Sequence, residues 1–408
     1  MILTLFRIKK KNFAPIFISL SLGLISQTSF RLFDGIGIGE IAIILFILYT
    51  LSRRVSSMLK TNRLRTKPII GYYLVFLLFF LLPITAISTT FSIPGSAFRD
   101  LFAYLLSGLL IYSLSTNEIM MKRLAFLTTT LLIGIVWLQY FFGHASAWYS
   151  IRFTGGATNP NQLALYLICS LVLIRIAIPK KNTLVLLFII IQVIFLGLLT
   201  LSDAFFASIA AALCLLPILF VLSKPVTPSK LSIYILILLA LLIPTLKYID
   251  PNKISYIISS QASTVWKSAD EGNGRLTLYK NGIKAWLDTP ISILFGNGAG
   301  CFSGLSGPFQ KSEAHNTPID LLSVGGLVGF GLLYGLLFFY LFKACFQQKI
   351  ILASFLVSLI CFTLFHFVIR HPIFWTTILA LSFELKNKKT NFKLSEKKTN
   401  NLCAASQE

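Results

Sequence analysis

Residues 183–222 read TLVLLFIIIQVIFLGLLTLSDAFFASIAAALCLLPILFVL, and Asp203 is the only charged side chain among them. About 20 apolar residues carry a helix across a bilayer. The stretch is therefore two crossings, 183–200 and 204–222, joined by the tight turn Leu201-Ser202-Asp203. Reading outward in the same unit gives further candidate spans at 13–30, 34–51, 69–90, 98–115, 124–142, 161–178, 231–248, 318–342 and 350–368, and a short one at 373–385. The expected fold is all-α: a polytopic integral membrane protein of about twelve transmembrane helices.

Composition excludes the other classes. The 408 residues are 56% hydrophobic and 12% charged, with a mean hydropathy of +0.80. Soluble domains carry about twice that charged fraction. A soluble fold of this size has no means of keeping so much apolar surface from water, and disorder requires low hydrophobicity. The first span follows Arg7, Lys9, Lys10 and Lys11 and lacks a small-residue cleavage site, so it reads as a retained anchor. The six cysteines make no Cys-x-x-Cys pair, and His144, His315, His366 and His371 are scattered in the sequence. Neither disulfides, a zinc site nor any other cofactor is indicated.

The net charge of +22 is mostly a topology signal. With the N-terminus inside, 24 of the 36 basic residues fall in cytoplasmic segments, and only Arg31, Arg99, Arg152 and Arg370 fall in the short outer loops. Positive residues in short loops set orientation. The expected organisation is a cytoplasmic N-terminus 1–12, spans one to nine over 13–248, a long periplasmic loop 249–317, spans ten to twelve over 318–385 and a basic cytoplasmic tail 386–408. Both termini lie in the cytoplasm in this reading. The basic clusters Arg53–Lys67 and Lys386–Lys398 read as anchors on anionic membrane lipids, not as a nucleic-acid surface.

The long loop is the only large piece expected outside the membrane. Within it, 275–287 reads as an amphipathic helix with Leu276, Tyr279, Ile283, Trp286 and Leu287 on one face and Arg275, Lys280 and Lys284 flanking it. The lysines read first as snorkelling side chains. The run Gly296-Asn297-Gly298-Ala299-Gly300 lacks the strand–helix context of a phosphate loop and reads as a turn. Then Glu313-Ala314-His315-Asn316-Thr317-Pro318 opens the tenth span, with Asn or Thr as N-cap and Pro in the first turn. Thr158-Asn159-Pro160-Asn161-Gln162 opens the sixth span in the same way, just after Arg152.

Two readings of these motifs stand. In one, Asn159 and Asn316 only cap helices and His315 is a polar loop residue. In the other, two outward helix N-termini, whose free N–H groups and dipoles favour an anion, join Arg152 and Arg275 in an anion site with His315 at its mouth. Arginine grips phosphate in a bidentate fork. Asp203 either caps the eighth span or lines that site, and Arg370 either joins it or marks the interface.

The run Arg275-Leu276, Tyr279, Trp286, Pro290, Gly296 to Gly300, His315-Asn316 and Gly325-Gly326-Leu327-Val328-Gly329 resembles the signature of the O-antigen ligase and polymerase family. Arg152-Phe153-Thr154-Gly155 with Asn159-Pro160-Asn161-Gln162 looks like that family's other outer motif. The resemblance covers roughly 70–385. It implies an inner-membrane glycosyltransferase that is metal-independent and inverting. Such an enzyme takes a glycan from an undecaprenyl-diphosphate donor and passes it to an acceptor glycan, which is a lipid-linked repeat unit or lipid A–core. It further implies that Arg275 holds the diphosphate and that His315 sits beside it as base or phosphate contact. Ligases of the family usually carry an arginine in the turn where this chain has Ser202-Asp203-Ala204. That departure tilts the reading from ligase toward polymerase.

The rival class is a transporter or lipid-linked oligosaccharide flippase. Coupled transporters place ionisable groups near the midplane on broken helices. Here Glu40 and Asp100 lie near span ends, and the polar motifs cluster outside.

Overall fold

The structure, a computed structural model, describes residues 13–27, 31–33, 36–61, 73–78, 94–114, 118–142, 147–148, 152–157, 159–179, 182–223, 275–304 and 312–386. The expected ninth span, the first half of the long loop, the N-terminal segment 1–12 and nearly all of the tail lie outside these residues, as does most of the third span. What is described is a helical bundle: α1 (Phe13–Ile25), α2 (Ile38–Thr61), α3 (Pro94–Leu114), α4 (Glu118–Phe141), α5 (Pro160–Ala177), α6 (Thr183–Leu199), α7 (Asp203–Ser223), α8 (275–286), α9 (Pro290–Phe295), α10 (Thr317–Phe346), α11 (Ile350–Thr363) and α12 (Pro372–Glu384). Two antiparallel ribbons that the sequence reading missed, β1–β2 (Arg31–Phe33 with Ile36–Gly37) and β3–β4 (Ala147–Trp148 with Arg152–Phe153), close connections between helices.

Among the described residues, three helices are long and apolar enough to cross a membrane: Ile119–Phe141, Pro160–Ala177 and Thr317–Phe346. The other apolar helices, such as Thr183–Leu199 and Ile350–Thr363, are shorter than the usual crossing. The fold is thus all-α and of membrane character. Helix α5 is its axis: 78% of its apolar window is buried inside the protein, against 39% for the window in α4. A helix apolar on every side belongs in a core, and α5 packs against α4, α6, α7, α11 and α12.

Several boundaries differ from the sequence reading. Helix α2 runs on to Thr61 through Arg53, Arg54 and Lys60, because nothing from 52 to 61 is Gly or Pro and Arg and Lys are good helix formers. Helix α4 begins at Glu118 and includes Lys122 and Arg123. Helix α11 stops at Thr363, short of 368. There the chain turns back to bond α10: the Val368 N–H donates to the Thr317 hydroxyl oxygen at 3.1 Å, and that hydroxyl donates to the His366 carbonyl.

Helix α8 forms where expected but packs by another face. Leu278, Gly282 and Ala285 are buried, while Leu276, Ile283 and Leu287 are about half exposed. Gly282 lets the helix backbone approach Ile319, whose methyl a Cβ there would meet at 2.7 Å. Of the apolar face read from the spacing, Leu276, Ile283 and Leu287 are exposed, as suits a helix lying against lipid, while Tyr279 and Trp286 are half-buried.

Helix α10 is interrupted. Gly326 has φ 62° and ψ −166°, a conformation open essentially to glycine alone. The carbonyls of Ser323 and Val324, freed at the break, accept from the Asn297 N–H at 2.8 Å and the Gly298 N–H at 3.0 Å. A Cβ on Gly296 would stand 2.3 Å from Val324 backbone, and one on Gly326 would stand 2.4 Å from Leu294 backbone. The glycines therefore serve a backbone-to-backbone seam, which satisfies polar groups that would otherwise be costly in an apolar setting.

Candidate functional site

One end of the bundle gathers the N-termini of α3, α5, α7, α10 and α12. The turn before α10 is built around a buried carboxylate. Asp320, fully buried, accepts from the backbone N–H of Ala314 at 2.8 Å and of Asn316 at 3.2 Å. Asn316 caps the helix: its side-chain oxygen accepts from the Ile319 N–H at 3.1 Å, and its amide donates to the Leu364 carbonyl at 2.8 Å. Held between these fixed residues, His315 adopts φ 53°, the left-handed region that non-glycine residues seldom enter. Its side chain is 51% exposed, with Nδ1 4.0 Å from a Glu313 carboxylate oxygen. A strained backbone that presents an exposed imidazole is a feature found at functional sites.

Behind His315 lies an ion cluster. The Arg370 guanidinium donates to both Asp100 and Glu313 and stacks over the rings of Phe302 and Phe367, with centroids at 5.2 and 4.9 Å. Asp100, fully buried, also accepts from the Gly300 N–H at 3.1 Å. Arg99 approaches Glu313 at 3.7 Å. Burial alone would raise the Glu313 carboxyl pKa and lower that of Arg370. Their mutual attraction wins, with Asp100 adding to it, so Glu313 sits below the ordinary carboxylate value and Arg370 above the ordinary guanidinium value. In the structure Arg370 takes an interior role that neither sequence reading gave: its guanidinium is held by two carboxylates.

The histidines are not scattered in space. Because the 364–371 turn folds back over the start of α10, the ring of His366 lies parallel to His315 with centroids 6.4 Å apart, and 6.0 Å from His371. His144 lies outside the described residues. His366 is 6% exposed, and its Nε2 makes no hydrogen bond among the described residues. Burial, against the pull of Glu313, pushes its pKa down to about 4. Among the described residues no group of three His, Cys, Asp or Glu side chains is placed to hold a metal.

The second outer motif forms its own constellation. Arg152, half-buried on β4, donates through Nε to the Thr200 carbonyl at 3.1 Å and through its terminal nitrogen to the Asn161 side-chain oxygen at 3.4 Å. The same oxygen accepts from the Ser202 hydroxyl at 2.7 Å. Asn159 caps α5, accepting from the Asn161 N–H at 2.8 Å, and the Gln162 N–H donates to the Asn159 carbonyl at 3.0 Å. Ser202, not Asp203, caps α7, its hydroxyl accepting from the Phe205 N–H at 3.3 Å. The capping expectation for Asp203 fails because serine occupies the preceding position and already supplies the acceptor; Asp203 is exposed in the first turn.

Burial lowers the Arg152 pKa, Asp203 opposes this, and the like charge of Arg275 lowers it further. Arg152 and Arg275 therefore sit within electrostatic reach of each other. Arg275 is exposed at the first turn of α8, with Lys280 exposed farther along.

Sequence reasoning thus named His315, Asn316, Arg152, Asn159 and Asn161, which the structure puts in two polar groups at one end of the bundle, and Arg275, which stands exposed at the start of α8. It missed Asp320, Glu313, Asp100 and His366. A carboxylate one turn past the cap residue signalled Asp320, and Glu313 stood in the motif itself. Nothing local marks Asp100 or His366, whose partners are remote in sequence. No protein-family model matches the chain, and no curated protein is significantly similar to it. What the fold and this end of the bundle define is a class: an all-α membrane protein with a charged, histidine-bearing polar cluster at its helix N-termini.

Proposed function

We propose that the protein is a membrane glycosyltransferase of the O-antigen polymerase or ligase type. It moves a glycan from an undecaprenyl-diphosphate carrier to an acceptor sugar at the periplasmic face of the inner membrane, with polymerase the preferred reading. In this reading the chain crosses the membrane about twelve times, both termini are cytoplasmic, and the end carrying His315 faces the periplasm. The observation that carries the proposal is His315. It is exposed on a left-handed turn that Asp320 and Asn316 hold rigid, at a helix N-terminus and beside an acid.

The chemistry follows from the placement. His315 takes the proton of an acceptor hydroxyl as that oxygen attacks the anomeric carbon. The bond from that carbon to the diphosphate oxygen breaks, and the lipid diphosphate leaves with both electrons. Negative charge builds on the leaving group, where fixed positive charge is most effective. Arg275 and Arg152, within reach of each other, supply it, and the N–H groups at the starts of α5 and α10 add to it. The outward apolar face of α8 lies against the lipid from which the donor arrives.

A transporter or flippase is the second reading, favoured by the interruption of α10 at Gly326. Its freed carbonyls, however, already accept from the Asn297 and Gly298 N–H groups, a use that joins two segments of the protein. The test is complementation of a deletion strain. His315→Ala and Arg275→Ala each abolish glycan transfer while membrane levels of the protein stay normal. Full activity of both variants sinks the proposal. Single repeat units in place of long chains identify a polymerase, and bare core with accumulated lipid-linked polymer identifies a ligase.

A further inference from the structure

At the opposite end of the bundle, where α5 and α12 finish and α4 and α11 begin, lies a pocket of about 290 Å³. Its lining includes Lys122, Arg175, Ile178, Pro179, Lys349 and Glu384. That volume is close to the roughly 300 Å³ at which small-molecule sites begin. The pocket holds three cationic side chains and one carboxylate. Glu384 is satisfied twice over, by Lys349 at 2.8 Å and by Lys122 at 3.4 Å. Arg175 spends one terminal nitrogen on the Ile178 carbonyl at 3.2 Å. Its Nε is buried and makes no hydrogen bond among the described residues. After the carboxylate is counted, two positive charges line one small cavity.

We propose that this pocket binds a phosphate ester, supplied in the membrane by the headgroup of an anionic phospholipid. The guanidinium of Arg175 is a planar, permanently charged donor group of the kind that fits phosphate oxygens. Ammonium groups beside it contribute as point charges. Ile178 and Pro179 give an apolar wall suited to the glycerol and the first methylenes of a chain. Basic pockets between membrane helices are where acidic headgroups lodge. The site is distinct from the His315 end and does not depend on glycan transfer.

The test uses the full-length protein, delipidated in a neutral detergent, with thermal unfolding as readout, because a ligand of the folded state raises the midpoint. Phosphatidylglycerol in mixed micelles raises it, and phosphatidylcholine at equal concentration does not. Lys122→Gln, at a partly exposed position, weakens the phosphatidylglycerol response about fivefold, the worth of one cation at an acidic lipid surface. Lys284→Gln, on α8, leaves it intact. Arg175→Gln abolishes it, with Lys122→Gln standing as the measurement if Arg175→Gln does not fold. Inorganic phosphate is run in parallel: a midpoint shift sensitive to Lys122→Gln assigns the site to the phosphate group alone, and a shift with lipid only assigns it to the headgroup. No response to either anion, or a Lys122→Gln protein that responds like its parent, overturns the proposal.

Discussion

Replacing Arg370 with Gln removes the cation that donates hydrogen bonds to both Asp100 and Glu313. Asp100 is fully buried, and the Arg370 side chain is 15% exposed, so neither group falls back on water. Asp100 retains the Gly300 N–H at 3.1 Å but loses its counter-charge. Breaking a buried pair by deleting one partner costs about 3–5 kcal/mol, a large share of the roughly 5–15 kcal/mol that holds a folded domain together. The Arg370→Gln protein in detergent therefore unfolds at a markedly lower temperature or denaturant concentration. The double variant Asp100→Asn/Arg370→Gln recovers part of the loss, because the fully buried carboxylate is then gone, two amides of similar shape fill the space, and Glu313 keeps Arg99 at 3.7 Å. Thermal unfolding followed by size-exclusion chromatography measures both. Arg370→Gln with parental stability but no glycan transfer would refute the interior role and return Arg370 to the substrate. A double variant no better than the single one would show that Asp100 is not the group left uncompensated.

Two further outcomes test the frame around His315. His366 is buried with a pKa pushed down to about 4 from 6.5, so the unfolded chain takes up its proton first as pH falls. Stability is full above about pH 6.5 and declines to about pH 4, by roughly 3 kcal/mol in all; His366→Phe flattens that slope, and an unchanged slope in a pH-dependent unfolding series contradicts the burial argument. At the seam, Gly326→Ala forces a Cβ to within 2.4 Å of Leu294 backbone at φ 62° and costs at least about 2 kcal/mol. Gly335→Ala, with nothing within 4 Å of its Cβ, instead gains about 0.5–1 kcal/mol of helix stability; equal midpoints for the two variants would dismiss the seam.

Much of the fold was legible because apolar helices announce themselves by length. The capped starts of α5 and α10 were legible too, since Asn followed by Pro is a local signal with a local cause. The pivot residue His315 was found the same way. What stayed hidden depends on packing. The buried face of α8 is Leu278, Gly282 and Ala285, which spacing did not single out, because a helix between protein and lipid is apolar on more than one side. The glycines 296–300 read as a turn, but their purpose is the approach of a backbone some 26 residues later in sequence. Ser202 displaced Asp203 as cap, since both residue types serve and only geometry decides. His366 and Asp100 acquire meaning only once the 364–371 turn is laid across α10.

Arg370 joins segments that are far apart along the chain: 270 positions separate it from Asp100 and 57 separate it from Glu313. During synthesis the N-terminal part of a chain organises first, so Asp100 enters the bundle long before its counter-charge exists. The end of the molecule carrying His315 is therefore completed only when the connection to the final helix has arrived. A chain cut short of residue 370 retains most of its helices yet lacks the guanidinium that holds Asp100 and Glu313 at the His315 end. Such a product is marked as unfinished by its own electrostatics, and quality-control proteases have a physical difference on which to act.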